Sequence, residues 1–188
     1  MGSFIVRYAA EKTFRPDKLI IMGTGGKNPF AGVALLLIGA IKRLRGERHY
    51  SPLVDRLAFG SYNNRFRAEG NEKKLWLSTD PAVRKKYAED PLSGFNFTVS
   101  AMGDLIRLLK DTNRAAWYKN LDTSLPILLV SGEDDPVGSY GKGVREVYQK
   151  LIKTGHPASI KLYAGARHEI LNDFTRDEVV RDMIEFIL

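Results

Sequence analysis

Two short apolar runs, each leading straight into a polar loop, constrain this chain more than any other feature. Pro126-Ile127-Leu128-Leu129-Val130 opens into Ser131-Gly132-Glu133-Asp134-Asp135-Pro136-Val137-Gly138, and Ser159-Ile160-Lys161-Leu162-Tyr163 opens into Ala164-Gly165-Ala166-Arg167-His168-Glu169. Runs of this length and composition read as buried strands, and residues 141–153 between them have helical spacing. Strand, helix and strand in that order form a parallel crossover unit. A third run, Leu19-Ile20-Ile21-Met22, ends in Gly23-Thr24-Gly25-Gly26 and follows a helical segment over residues 2–12 that Arg15-Pro16-Asp17 stops. Residues 175–188 close the chain as a helix, with Thr175 expected to cap it and Asp177 and Glu178 in its first turn. The fold class is therefore α/β, with three parallel strands and flanking helices.

Between residues 27 and 120 the alternation stops. Helical segments there are separated by loops such as Gly60-Ser61-Tyr62-Asn63-Asn64 and Asp90-Pro91-Leu92-Ser93-Gly94. We therefore expect a core built from residues 1–26 and 121–188, interrupted by a helical insertion over 27–120. Its most apolar stretch, residues 30–41, is about twelve residues long, short of the eighteen or so that a membrane span needs. It reads as a buried or interfacial helix, and packing on the core is the first expectation.

In open parallel sheets the ligand site lies beyond the carboxyl ends of the strands, so the residues just after each strand carry the functional question. Two adjacent strands deliver a carboxylate loop and a histidine loop to the same edge. An acid that orients an imidazole, and an imidazole that takes a proton from a hydroxyl, need that convergence. Asp135 and His168 are the candidate pair. Taken singly, the acidic loop is also an ordinary turn and a lone histidine is more often structural; together, in this order, they are more specific. His49, between Arg48 and Tyr50, and His156, before Pro157, read as structural.

The absence of cysteine excludes disulfides, thiolate nucleophiles and cysteine metal sites. The net charge of +7 invites a nucleic-acid partner, but the basic clusters at Lys42, Arg43, Arg45 and Arg48, at Lys73 and Lys74, and at Arg84, Lys85 and Lys86 carry no interleaved aromatic platform. They read as solvated helix faces. The stretch at 30–41, followed by Lys42, Arg43 and Arg45, also has the apolar body and basic end of a segment that rests on a lipid surface.

These residues resemble the α/β-hydrolases of the monoacylglycerol lipase, lysophospholipase and serine aminopeptidase-like family. Met1-Gly2-Ser3-Phe4-Ile5-Val6-Arg7-Tyr8 is similar to the start of the helix after that family's nucleophile elbow, a G-x-S-x-G turn. Trp76-Leu77-Ser78 and Tyr87-Ala88-Glu89-Asp90-Pro91 resemble its cap segments. The blocks around Asp135 and Arg167-His168-Glu169-Ile170-Leu171-Asn172 resemble its acid and histidine loops. The resemblance implies that Asp135 is the triad acid, with Asp134 second choice, that His168 is the base, and that the backbone N–H of Met1 donates to an oxyanion. It further implies ester hydrolysis of a lipid-like substrate, a monoglyceride or lysophospholipid, through an acyl-enzyme and without metal or cofactor.

On this alignment Gly2 closes the elbow and permits close helix–strand contact, while the nucleophilic serine falls one position before residue 1. The expected state is an α/β-hydrolase fold lacking its N-terminal strands, inactive by itself and prone to aggregate or fold poorly. Ser3, Ser131 and Ser139 lack the elbow context and are poor substitutes. The alternative is a non-catalytic pseudo-hydrolase that serves as an interaction or lipid-binding module. A cytoplasmic location is the default expectation.

Overall fold

The computed structural model describes residues 1–188. Helix α1 (Gly2–Lys12) turns Ser3, Phe4, Arg7 and Ala10 inward at helical spacing and leads into strand β1 (Leu19–Met22). Helices α2 (Ala31–Arg45), α3 (Pro52–Phe59), α4 (Pro81–Glu89), α5 (Val99–Thr112) and α6 (Ala115–Asn120) follow, with short 3-10 segments at Asn64–Glu69 and Leu75–Leu77. Then come β2 (Ile127–Gly132), α7 (Lys142–Lys153), β3 (Ala158–Tyr163), a 3-10 turn at Ile170–Asn172 and α8 (Arg176–Ile187).

The three strands form one parallel sheet in the order β1-β2-β3, with Leu19 opposite Ile127 and Gly132 opposite Tyr163. Strand β2 lies in the middle and every residue of it is buried. Its side chains alternate between two cores, as the pleat requires. Ile127 and Leu129 pack with Trp117, Val144, Val147 and Leu151 on the α7 side; Leu128 and Val130 pack with Tyr163, Ile170 and Val179 on the α8 side. At roughly 1.5–3 kcal/mol for each fully buried aliphatic side chain, this two-faced burial is what holds the strand ends, and hence their loops, in place. Strand β1 pairs with β2 alone and leaves its other edge open.

The segment between β1 and β2 builds a separate cluster from Ile38, Val54, Val99 and Met102, joining α2, α3 and α5. Helix α6 instead places Trp117 and Tyr118 in the sheet core. Buried Arg7 ties these parts together. Its guanidinium lies over Trp117 at 4.4 Å, donates to Thr24 Oγ1 at 3.1 Å and bonds the Thr112 carbonyl.

One local expectation changes. Thr175 precedes α8 but has near-helical dihedrals of −83° and −1°, so its hydroxyl donates to the Ile170 carbonyl rather than capping the helix. The apolar helix at 30–41 becomes α2, with Ala31 and Ile38 buried while Phe30, Val33, Leu36 and Leu44 stand exposed, so only one of its faces packs. No helix is long and apolar enough to cross a membrane.

Candidate active site

Strand β2 runs two residues past Val130, and its last residue is a glycine for a steric reason. A Cβ on Gly132 would lie 2.1 Å from the Arg167 carbonyl and 2.2 Å from that of Ala166, so only glycine lets the acid loop and the histidine loop touch. The contact is fixed by Asp134 N–H donating to the Ala166 carbonyl at 3.0 Å and Glu133 N–H donating to that of Tyr163 at 2.9 Å.

The Asp135 side chain is fully buried. One of its oxygens accepts the Val137 N–H at 2.8 Å; the other lies 2.8 Å from His168 Nδ1. With Nδ1 donating to the carboxylate, Nε2 of the neutral ring is left as an acceptor, and the side chain is about one quarter exposed. An imidazole held in this way can take a proton from a hydroxyl or a water. Gly23, at φ +59°, lies beneath the pair: a Cβ there would sit 3.2 Å from His168 Cε1 and 3.6 Å from the Asp135 carboxylate.

Asp134 does not face His168. It pairs with Arg65 at 2.9 Å, and the same guanidinium lies 5.0 Å over the Tyr140 ring. Tyr140 belongs to a run of three left-handed residues, Ser139, Tyr140 and Gly141, at φ +53°, +56° and +78°. Such residues cost about 1–2 kcal/mol each where a Cβ is present. Bonds from Ser139 N–H to the Pro136 carbonyl, Tyr140 N–H to Asp135 and Gly143 N–H to Gly138 hold them there.

The histidine loop is docked on the segment that follows α3. His168 N–H donates to the Trp76 carbonyl at 3.4 Å and Glu169 N–H to that of Leu77 at 2.8 Å, and the Trp76 ring lies 5.2 Å from the imidazole. Buried Arg167 anchors the loop by donating to the Leu75 and Ser78 carbonyls, pairing with Glu69 and covering the Phe66 ring at 4.0 Å. Tyr62 stacks edge-on against Trp76, and its phenol is pushed up to about 12, first by burial and then by the negative charge of Asp135. None of these contacts from the insertion was assigned from the sequence, because each spans a long separation and no local pattern marks it.

The first turn of α1 lies beside the pair, because Ser3 bonds the backbone of Gly23, the residue beneath it. Ser3 donates to the Gly23 carbonyl at 3.4 Å and Ser131 to that of Gly132 at 3.3 Å, and Ser139 is exposed; none bonds His168. His156 is buried between Thr154 Oγ1 and the Leu121 carbonyl, and His49 lies in the insertion, where its backbone carbonyl accepts from Val99 N–H, so neither reaches the pair. Two concavities of about 810 and 630 Å³ lie elsewhere, and neither is lined by Asp135 or His168.

A parallel α/β sheet that delivers a buried carboxylate and a partly open histidine to one end is the arrangement of the α/β-hydrolase class. The sequence profile of the serine aminopeptidase S33 family matches residues 1–175, and the chain belongs to that family. Among solved structures it is similar to a highly thermostable carboxyl esterase from Bacillus coagulans in complex with glycerol, at 30% identity and a TM-score of 0.91, over 98% of this chain and 61% of the esterase. A lipase in an open form (23% identity, TM-score 0.87) and a soluble variant of monoglyceride lipase from Saccharomyces cerevisiae with a substrate analogue (16%, 0.70) share the fold over the same 98% and 61%. The chain thus spans about 61% of the length of these relatives. None of the curated proteins compared with it matches.

Proposed function

We propose that the protein is a carboxylic ester hydrolase in which Asp135 orients His168 and His168 activates a hydroxyl nucleophile. The observation that carries this reading is the 2.8 Å bond from His168 Nδ1 to a carboxylate wholly removed from solvent. Asp135 holds the ring with Nε2 free, and Nε2 takes the proton of a serine hydroxyl as its oxygen attacks the ester carbonyl. The proton then passes from the imidazolium to the departing alcohol. Water, deprotonated by the same nitrogen, releases the acid from the acyl-enzyme. Backbone N–H groups at the start of α1, Met1 first among them, are the donors for the developing oxyanion, because a helix N-terminus favours negative charge. The whole enzyme's substrate is a lipid-like ester, a reading supported by family membership and by likeness to an esterase at 30% identity.

On this reading residues 27–120 act as a cap over the histidine loop. The exposed Phe30, Val33, Leu36 and Leu44 of α2, next to Lys42, Arg43 and Arg45, give it a face suited to an anionic lipid surface. A second reading, a non-catalytic relative that binds lipid or protein, draws on the same exposed apolar face of α2 beside Lys42, Arg43 and Arg45.

The test is hydrolysis of medium-chain p-nitrophenyl esters by two forms, the 188-residue chain and the chain extended by the codons that precede Met1 in frame. Turnover by the extended form, lost in His168→Ala, supports the hydrolase. Inactivity of both forms refutes it and leaves the binding protein.

A further inference from the structure

A second concavity, apart from the Asp135–His168 pair, carries charges that the hydrolase reading does not use. It measures about 630 Å³ and is walled by the loop after β1, the first turn of α2, the end of α5, the helix α6 and the end of α7. Six cations surround it: Lys27, Lys110, Arg114, Lys119, Lys150 and Lys153. No aspartate or glutamate lines it. Arg114 is paired with Glu11, and Lys150 with Glu146, whose carboxylate also accepts the Lys27 backbone N–H at 3.2 Å. Lys27, Lys110, Lys119 and Lys153 pair with no carboxylate, although cations elsewhere, such as Arg84 with Glu72 and Lys161 with Asp182, do. These four lysines are exposed, and like charges gathered around one concavity without counter-charges set up a positive field over it.

A separate feature points the same way. Helix α2, fifteen residues long, begins at this recess without a side-chain cap and without an acidic residue in its first turn. The Gly32 amide, in that first turn, has no carbonyl four residues back inside the helix to bond, and Gly32 itself lines the recess, with open space where a Cβ would stand. Free helix-terminal N–H groups and the helix dipole favour an anion at the point where the lysines converge. Nothing in the linear sequence marks this, because the cations come from four separate segments and lie outside the basic clusters between residues 40 and 90.

We propose that this recess is a binding site for a phosphate-bearing anion, held by Lys27, Lys110, Lys119 and Lys153 and by the N-terminal amides of α2. The site is independent of ester hydrolysis and does not need the hydrolase reading to hold. Its ligand is defined by the phosphoryl group, whether on a small soluble molecule or on a lipid headgroup.

The test uses inorganic pyrophosphate, titrated calorimetrically at low ionic strength, and in parallel sedimentation with phosphatidylglycerol vesicles and with neutral phosphatidylcholine vesicles. Both the chain and its in-frame extension are used. Gly32→Asp puts a carboxylate at the helix start, where it favours the helix and occupies the anion position, so it should remove binding without loss of circular dichroism signal. Lys110→Glu and Lys119→Glu, both at exposed positions, should each weaken binding about tenfold. Lys86→Glu is the control: it is exposed on α4, does not line the recess and lies outside the basic face of α2. Pyrophosphate binding with that pattern supports the site and identifies a soluble phosphate. Binding to phosphatidylglycerol vesicles alone, with the same pattern, supports the site and identifies a headgroup. Absence of binding to both probes, or equal weakening by Lys86→Glu, overturns it.

Discussion

Replacing Arg167 with alanine removes the side chain that fastens the histidine loop to the insertion, and the contacts set the size of the effect. The Leu75 carbonyl loses a donor at 2.7 Å, worth about 1–3 kcal/mol if it stays buried and unpaired. The Ser78 carbonyl loses one too, but Arg84 still donates to it at 2.9 Å, so little is added there. The guanidinium over Phe66 contributes roughly 1–2 kcal/mol at a desolvated position. The pair with Glu69 adds no more than about 1 kcal/mol, because that carboxylate is nearly half exposed. Against these stands Arg167 Nε, buried with no partner, whose removal returns on the order of 1 kcal/mol. The net expectation is a loss of about 3 kcal/mol in Arg167→Ala and about half that in Arg167→Lys, which keeps the charge but not the planar fork. Urea unfolding followed by the fluorescence of buried Trp117 measures it. The Glu69 carboxyl, held below its ordinary range mainly by the Arg167 hydrogen bond, should also move back up in the alanine variant. A change under about 1 kcal/mol, with Glu69 unmoved, would refute this account of the loop.

Other consequences are equally open to measurement. Tyr62 has a folded-state pKa of about 12 against 10.0 for the free phenol, so the folded state keeps a proton that the unfolded state gives up. Stability should therefore be complete below pH 10 and fall by on the order of 2 kcal/mol as pH rises towards 12, a slope that Tyr62→Phe should reduce; an identical slope in that variant would count against it. Gly23→Ala places a methyl 3.2 Å from His168 at a left-handed position, and should cost about 1–2 kcal/mol of stability and about tenfold in ester turnover by the extended form. Unchanged turnover would show that the ring has room to give. The open edge of β1 is flanked by exposed Met1, Ile5 and Tyr8 on α1 and by Val180, Ile184 and Ile187 on α8, so the 188-residue chain should self-associate at micromolar concentration. A monomer with one sharp unfolding transition in analytical ultracentrifugation and calorimetry would contradict that.

The sheet was legible because its strands are short apolar runs ending in polar loops, and β2, buried along its whole length, is the clearest of them, whereas β3 is buried only at Tyr163. The Asp135–His168 pair was legible for a related reason: chemistry at the carboxyl ends of adjacent strands is local to each loop, and the two loops meet once the strands pair. Trp76, Tyr62, Arg65 and Arg167 were not legible as neighbours of the site. Their contacts depend on how the insertion folds back, which no periodicity encodes, and Arg65 and Arg167 look in sequence like two of many surface cations. Thr175 misled because its residue type suits a cap while its backbone does not. Helix α2 reads in sequence as buried or interfacial, and which side packs was not legible: the side carrying Ala31 and Ile38 finds a partner while Val33, Leu36 and Leu44 stand exposed.

The central claim is that Asp135, not its neighbour Asp134, sets His168 for catalysis, and two isosteric substitutions separate them. In the in-frame extended form, kcat for a medium-chain p-nitrophenyl ester should fall about 10⁴-fold in Asp135→Asn, where the amide favours the wrong ring tautomer. It should change less than about threefold in Asp134→Asn, which loses only a surface pair with Arg65. Equal effects of the two substitutions, or full activity in Asp135→Asn, would contradict the account.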